Sequence, residues 1–298
     1  MQHILTLKKN YMSNILVTGS KGQLGSELKD FESEFKQYSF YFTDFDSLDI
    51  TDHGKVKSYC IENEIEIIIN CAAYTAVDKA ESHVELCDTV NHLAVRNFAK
   101  IAKENKIKLI HISTDYIFDG KAHKPYTETD IPNPQGVYGK TKLAGEVAML
   151  NINPANSIII RTSWVYSSYG NNFVKTMLRL AKEKKELGII FDQVGTPTYA
   201  ADLAKFILDV LPQIVNKEVG ILNYSNEGVC SWFDFAKVIF EYTNTKCKVN
   251  PITTVQYPTA AKRPYYSILD KTKIKNKFKI EIPFWRDSLK KCLLKIYD

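Results

Sequence analysis

Apolar residues in this chain fall into two alternating patterns: short continuous runs, and longer stretches with helical spacing. Residues 14–18 (NILVT) form an apolar run that leads into glycines, and residues 24–35 carry apolar positions at helical intervals. That order predicts strand, turn, helix. The rhythm repeats, with a strand over 39–43, a helix over 52–63 and a buried strand over 66–70 (EIIIN). A long helix over 82–105, a strand over 108–113, a helix starting near Tyr138 and a strand over 157–161 follow. Strands that alternate with long helices require crossover connections, and therefore a parallel sheet covered on both faces. The expected fold class is α/β, a doubly wound parallel sheet of Rossmann type.

After Trp164 the alternation loosens. Helices are predicted over 172–183, 232–242 and 287–296, without the strand-helix rhythm between them. These segments are expected to form a smaller C-terminal lobe over the carboxyl edge of the sheet, where open α/β sheets bind ligands. The division is residues 12–164 for a dinucleotide-binding domain and 165–298 mainly for a substrate-binding lobe. Part of 190–215, especially 200–211, is expected to return to the first domain.

Composition narrows the classes. A chain of 298 residues buries roughly 75% of its unfolded surface, so a substantial core is available. Hydrophobic residues make up 45% and charged residues 24%, and no run approaches the ~18 apolar residues of a membrane span. A cytoplasmic protein without membrane attachment is expected. The opening MQHILTLKKNYM places its lysines after the apolar part, the wrong order for a secretory signal, and reads as an extension before Met12. A net charge of +5 favours an anionic ligand only weakly, and with no reading element for nucleic acid, nucleic-acid binding is not expected. The six cysteines form no C-x-x-C pair and no ligand-like cluster with the histidines, so reduced thiols and no metal site are expected.

The first turn, TGSKGQLG at 18–25, follows a predicted strand and opens a predicted helix. Gly19, Gly22 and Gly25 permit a tight turn and let the backbone approach a pyrophosphate, while the helix N-terminus offers free N–H groups. Glycine also suits a plain strand-to-helix turn, so the context carries the reading. Asp44 ends the second strand, where a carboxylate can accept from the ribose hydroxyls on the adenine side. Lys21 could instead favour a 2′-phosphate, which leaves NADH and NADPH both open as the cofactor.

Tyr138 and Lys142 lie four apart at the start of a helix and share a face. A free phenol has a pKa near about 10, too high for an efficient proton donor at neutrality. A cation ~4 Å away, at an effective dielectric of about 20, is worth roughly 4 kcal/mol, or about three pKa units. Lys142 is therefore expected to bring Tyr138 toward working pH. The pair follows a strand ending in Ser113-Thr114-Asp115-Tyr116, so Thr114 can hydrogen-bond the carbonyl oxygen that Tyr138 protonates. Hydrolysis through Ser113 or Ser163 with His111 lacks a G-x-S-x-G elbow and a third member, and His111 reads as a satisfied strand residue.

With these motifs go NCAAYTAVDKAE at 70–81, STDYIFDG at 113–120, VYGKTKLAGE at 137–146, RTSWVY at 161–166, GNNF at 170–173, DQVGTPT at 192–198 and RPYYSILD at 263–270. From residue 14 onward the chain closely resembles the dTDP-4-dehydrorhamnose reductase family of extended short-chain dehydrogenases/reductases. The tyrosine-lysine spacing and the glycine turn belong to the whole superfamily, whereas AAYTAVDKAE together with RTSWVY is far more specific. The resemblance implies NADPH or NADH as cofactor, a nucleotide-sugar substrate, and Thr114, Tyr138 and Lys142 as the catalytic set, with Asn91 assisting through bound water. It places Gly22, Gln23, Leu24, Asp44, Asp49, Ile50, Ala73, Tyr74 and Thr75 around the dinucleotide, with Gly19, Gly25, Tyr138 and Lys142. It places Val77, Thr114, Asp115, Trp164, Asn172 and Arg263 on the substrate, the last suited to a diphosphate by its forked donors.

One departure stands out. Some members of the family hold Mg²⁺ between subunits through three glutamates, and here Glu27 is joined by Ala201 and Lys295 at those positions. Neither that metal nor that dimer carries over, and a homodimer is left open. Two other readings are also left open: a non-catalytic dinucleotide-binding regulatory subunit, and a reductase giving the opposite C4 configuration, of 6-deoxy-talose type.

Overall fold

The structure, a computed structural model, describes residues 12–297, so the extension expected before Met12 lies outside the described residues. Five strands make the body of the sheet: β1 (Ser13–Thr18), β2 (Tyr38–Thr43), β3 (Ile65–Asn70), β4 (Lys108–Thr114) and β5 (Ile158–Thr162). A further strand, Gly220–Asn223, pairs with β5, and the order across the sheet is Gly220–Asn223, β5, β4, β3, β1, β2. Every pairing in this sheet is parallel, as the alternation predicts.

The strands are apolar throughout because both faces are covered. Ile15 and Val17 of β1 enter one core with Ile67 and Ile69 of β3, while Leu16 and Ile68 point into the opposite core. On β5, Ile158 and Ile160 join the first core and Ile159 the second. This period of two commits each isoleucine to one face, and a slip of one residue would exchange the two sets. The first core is closed by α1 (Gln23–Asp30) and by the helix Ala200–Val210. The second is closed by α2 (His53–Glu62), α5 (Ala94–Asn105) and α6 (Val137–Ile152).

Two expectations about helices are corrected. The first helix ends at Asp30 rather than 35, because the chain turns at Phe31 and sends Phe31 and Phe35 back onto the core. The long helix over 82–105 has irregular winding: α3 (Val77–Ala80) precedes α4 (Val84–Asp88), which runs through a π turn at Thr89–Leu93 into α5. Such turns add a residue to one wind of helix and re-aim the side chains within it, often at functional sites.

The C-terminal segments have a core of their own. Helices Phe173–Glu183, Trp232–Tyr242 and Trp285–Tyr297 pack around Phe235, Trp285 and Leu289. Chain from this half also returns to the sheet: besides Ala200–Val210, the strand Gly220–Asn223 forms its edge, and Ile274 and Phe278 of the helix Thr272–Phe278 enter the first core. No helix among the described residues is long and apolar enough to cross a membrane.

Candidate active site

The carboxyl ends of β1, β3, β4 and β5 open into a crevice of about 1250 Å³. The chain order reverses at β1, between β2 and β3, and such switch points leave room for a ligand outside the strand ends. Gly19 forms the floor with a backbone φ of +66°, and a Cβ there would lie 2.8 Å from the Ala72 backbone. Only glycine fits that position. Gly25 brings α1 down onto the turn, since a Cβ would come within 2.6 Å of the Ser20 Cα. The N-terminus of α1 consequently faces the crevice with Gly22, Gln23 and Leu24 on its wall.

Asp44 also lines the crevice, and its carboxylate accepts from the backbone amides of Lys21 (2.9 Å) and Phe45 (2.9 Å). The Lys21 ammonium is bound to Asp46 at 2.6 Å. Asp49 and Ile50 lie on the same wall, with Asp49 accepting from the Thr51 hydroxyl and amide. Across from them run Ala73, Tyr74, Thr75 and Val77. That loop is held from behind by Asn91, which the π turn buries: its Oδ1 accepts from Tyr74 N at 2.8 Å and its Nδ2 donates to Tyr74 O. Both ends of the Asn91 amide are thus used on the loop.

Thr114, Tyr138 and Lys142 all line the crevice. Burial pushes the Tyr138 phenol up to about 12, and the neighbouring Thr114 hydroxyl pulls the other way. Burial therefore works against the lowering expected from the Lys142 ammonium. Lys142 is 2% exposed, and its amine donates to Ile112 O at 2.6 Å and meets His111 Nε2 at 3.4 Å. Desolvation brings Lys142 down to about 8, against the raising effect of Glu146 one turn along α6. The spacing correctly puts the two residues on one face, but the amine reaches into the sheet.

Behind Lys142, Glu146 forms a buried ion pair with Arg161 at 2.7 Å and accepts from Ser113. Ser113 therefore makes no bond with His111, and Ser163 donates to Thr196 O, so neither serine is set up as a hydrolytic nucleophile. Asp115 is 3% exposed, and burial raises it to about 7. Among the described residues its Oδ2 has no hydrogen-bond partner, while Oδ1 accepts from Thr114.

Of the remaining substrate-side residues, Trp164 lines the crevice with a backbone φ of +48°, a conformation rare for large side chains. One face of its ring stacks on Trp232 at 3.5 Å. Asn172 instead caps the helix Phe173–Glu183 and donates to Gln23 Oε1, bracing the turn from behind. Arg263 holds Asp78 through both of its terminal nitrogens, at 2.9 and 2.6 Å, so its fork closes on α3. Sequence reasoning passed over Phe45, Cys71, Tyr116 and Thr162 on the crevice wall, each within a residue or two of a strand's carboxyl end. At the remote metal position, Lys295 meets the buried Glu27 carboxylate at 2.5 Å and Asp30 as well.

The glycine-floored crevice at the switch point, with a tyrosine and a lysine a turn apart on its wall, defines a Rossmann-type oxidoreductase that takes a nicotinamide dinucleotide. A family model described as "RmlD substrate binding domain" matches residues 12–297. The chain belongs to the dTDP-4-dehydrorhamnose reductase family. It is 43% identical over 288 residues to a dTDP-4-dehydrorhamnose reductase of Aggregatibacter actinomycetemcomitans, covering 94% of this chain and 98% of the relative. A solved reductase of that name from Clostridium acetobutylicum superposes with a TM-score of 0.90 at 41% identity, covering 96% of this chain and all of the other. A dTDP-4-dehydrorhamnose reductase from Bacillus anthracis, solved in complex with NADP, gives 0.91 at 39% identity, covering 95% and 99%.

Proposed function

We propose that this protein reduces the C4 ketone of dTDP-4-dehydro-L-rhamnose to give dTDP-L-rhamnose, with NADPH or NADH as cofactor. A reduced nicotinamide supplies hydride to C4, and the phenol of Tyr138 gives its proton to the oxygen. Thr114 donates to the same oxygen and polarises it before transfer. Lys142 holds the cofactor's ribose and, as an ammonium, favours the phenolate left behind. Gly19, Gly22 and the α1 N-terminus take the pyrophosphate, and Asp44 takes the adenine-side ribose. The C-terminal lobe takes the sugar nucleotide, with Asp115 and Trp164 against the ring and Arg263 released from Asp78 toward the diphosphate. A cytoplasmic location accords with a reaction between two nucleotide-linked metabolites.

The observation that carries this reading is the meeting of Thr114 and Tyr138 over the same crevice that the glycine turn floors. The test supplies the enzymatically prepared 4-keto sugar nucleotide with NADPH or NADH in parallel, follows loss of nicotinamide absorbance, and identifies the sugar by NMR. A rhamno product supports the reading and a talo product replaces it with the C4 epimer. No consumption with either cofactor refutes it in favour of a non-catalytic binding role.

A further inference from the structure

His111 sits in the middle of β4 with no exposed surface, and the reaction above gives it no part. A buried imidazole on an apolar sheet needs partners for both nitrogens. It has them. Nδ1 lies 3.2 Å from Asn70 Nδ2, Nε2 lies 3.4 Å from Lys142 Nζ, and Asn70 Oδ1 accepts from Thr18 Oγ1 at 2.8 Å. Thr18, Asn70 and His111 are all within 1% of full burial, so the row Thr18-Asn70-His111-Lys142 crosses three neighbouring strands without reaching water.

We propose that His111 is a positioning residue for the proton-transfer site, its Nε2 holding the Lys142 amine at the crevice floor and Asn70 fixing the imidazole from the other side. This rests on the reductase reading for its consequence, though the contact itself does not.

The hydrogen bonds of this row have a direction. An ammonium on Lys142 donates to Nε2, which puts the ring proton on Nδ1 and requires the oxygen of Asn70 to face it. An uncharged amine can also accept from Nε2–H, which puts the amide nitrogen of Asn70 toward Nδ1, the orientation seen in the structure. Half a turn of the Asn70 amide exchanges the two, and Thr18 can donate or accept at the far end. A charged Lys142 therefore allows only the first direction of the row, whereas an uncharged one allows either.

The other groups facing Lys142 do not replace His111. Glu146 on α6 is committed to Arg161 of β5 and to Ser113. Cys71 after β3 and Cys87 on α4 have their thiols pushed up by burial and stay uncharged at neutrality. The Tyr138 phenol is likewise uncharged there. Burial keeps His111 itself neutral, well below the usual imidazole range. The acceptors left for an ammonium are Ile112 O and His111 Nε2.

The test compares His111→Gln, His111→Asn and His111→Leu. Glutamine presents a polar atom where Nε2 stands, and asparagine where Nδ1 stands. Two readouts are taken: the pH profile of kcat for reduction of dTDP-4-dehydro-L-rhamnose by NADPH, and the NMR titration of the ¹³Cε of Lys142 in the substrate-free protein, assigned by its loss in Lys142→Met. Without the acceptor the ammonium is less favoured. The basic limb of kcat and the Lys142 midpoint should both move about one pH unit lower in His111→Leu and His111→Asn, with KM changed less than kcat. His111→Gln should restore most of the shift. A merely structural role would order the variants by melting temperature and leave both midpoints in place, which overturns the proposal. Equal midpoints for the glutamine and asparagine variants overturn it even if His111→Leu does not fold. A wild-type protein inert toward the sugar nucleotide would sink the reductase reading alone, because the NMR titration still decides the contact.

Discussion

Replacing Lys142 with methionine should abolish turnover and at the same time make the protein more stable at neutral pH. The lysine is 2% exposed, and desolvation brings it from its ordinary 10.5 down to about 8. A lowered pKa in the folded state means that the unfolded chain binds more protons between those two values, so stability rises with pH across that window. Below pH 8 the burial penalty is present in full, and above 10.5 it is gone. At 1.36 kcal/mol per unit, a depression of about 2.5 units amounts to about 3 kcal/mol. Methionine has nearly the same length and no charge, but it removes the hydrogen bonds to Ile112 O and to the His111 ring, which returns about 2 kcal/mol. The net gain expected at pH 7 is about 1 kcal/mol, or a rise of roughly 2 °C in melting temperature for a chain of this size. Melting curves of wild type and Lys142→Met from pH 6.5 to 10.5 test this directly. The difference should be largest below pH 8 and shrink toward zero or reverse by 10.5. A variant that melts lower than wild type at pH 7, with a gap that ignores pH, would show that the buried amine is a net support of the fold and refute the reasoning.

Two further outcomes follow from the same geometry. Tyr138→Phe keeps the ring that meets Tyr116 edge-on at 5.5 Å but removes the proton donor, so kcat should fall by about 10² to 10⁴ while calorimetry still finds the dinucleotide bound. Arg161→Met strands the Glu146 carboxylate, 1% exposed on its side chain, and should cost about 3–5 kcal/mol of stability in denaturant unfolding; a loss under 1 kcal/mol would mean the carboxylate finds water or a proton.

How much of this could be read from the sequence depends on the range of the interaction. The strands of the first half were legible because each carries its own evidence: an apolar run such as EIIIN can only be buried on both faces, and the helix between two such runs fixes their parallel pairing. The helices of the second half were legible for the same reason. Their allegiance was not. Gly220–Asn223 is a four-residue strand whose place at the sheet edge is decided by β5, some sixty residues earlier, and Ile274 and Phe278 join the sheet's core from further still. Nothing within those segments distinguishes them from parts of the C-terminal lobe.

The site divides along the same line. Residue types at fixed spacing, the glycines of the turn and the tyrosine and lysine of α6, are local and were recognisable. What those groups do electrically is set by what surrounds them, and there the spacing argument pointed the wrong way. A cation four residues away was expected to lower the Tyr138 phenol, yet burial raises it, and the Lys142 amine has its hydrogen bonds on Ile112 O and His111. Arg263 was read as suited to a diphosphate by its forked donors, and here that fork is closed on Asp78, 185 positions away. Both observations lead to one physical conclusion about this crevice. Lys21 and Lys142 on its wall, and Arg263 beyond it, are held by the protein's own groups, so ligand binding has to exchange those contacts for new ones, and only the difference between the two sets remains to favour the bound state.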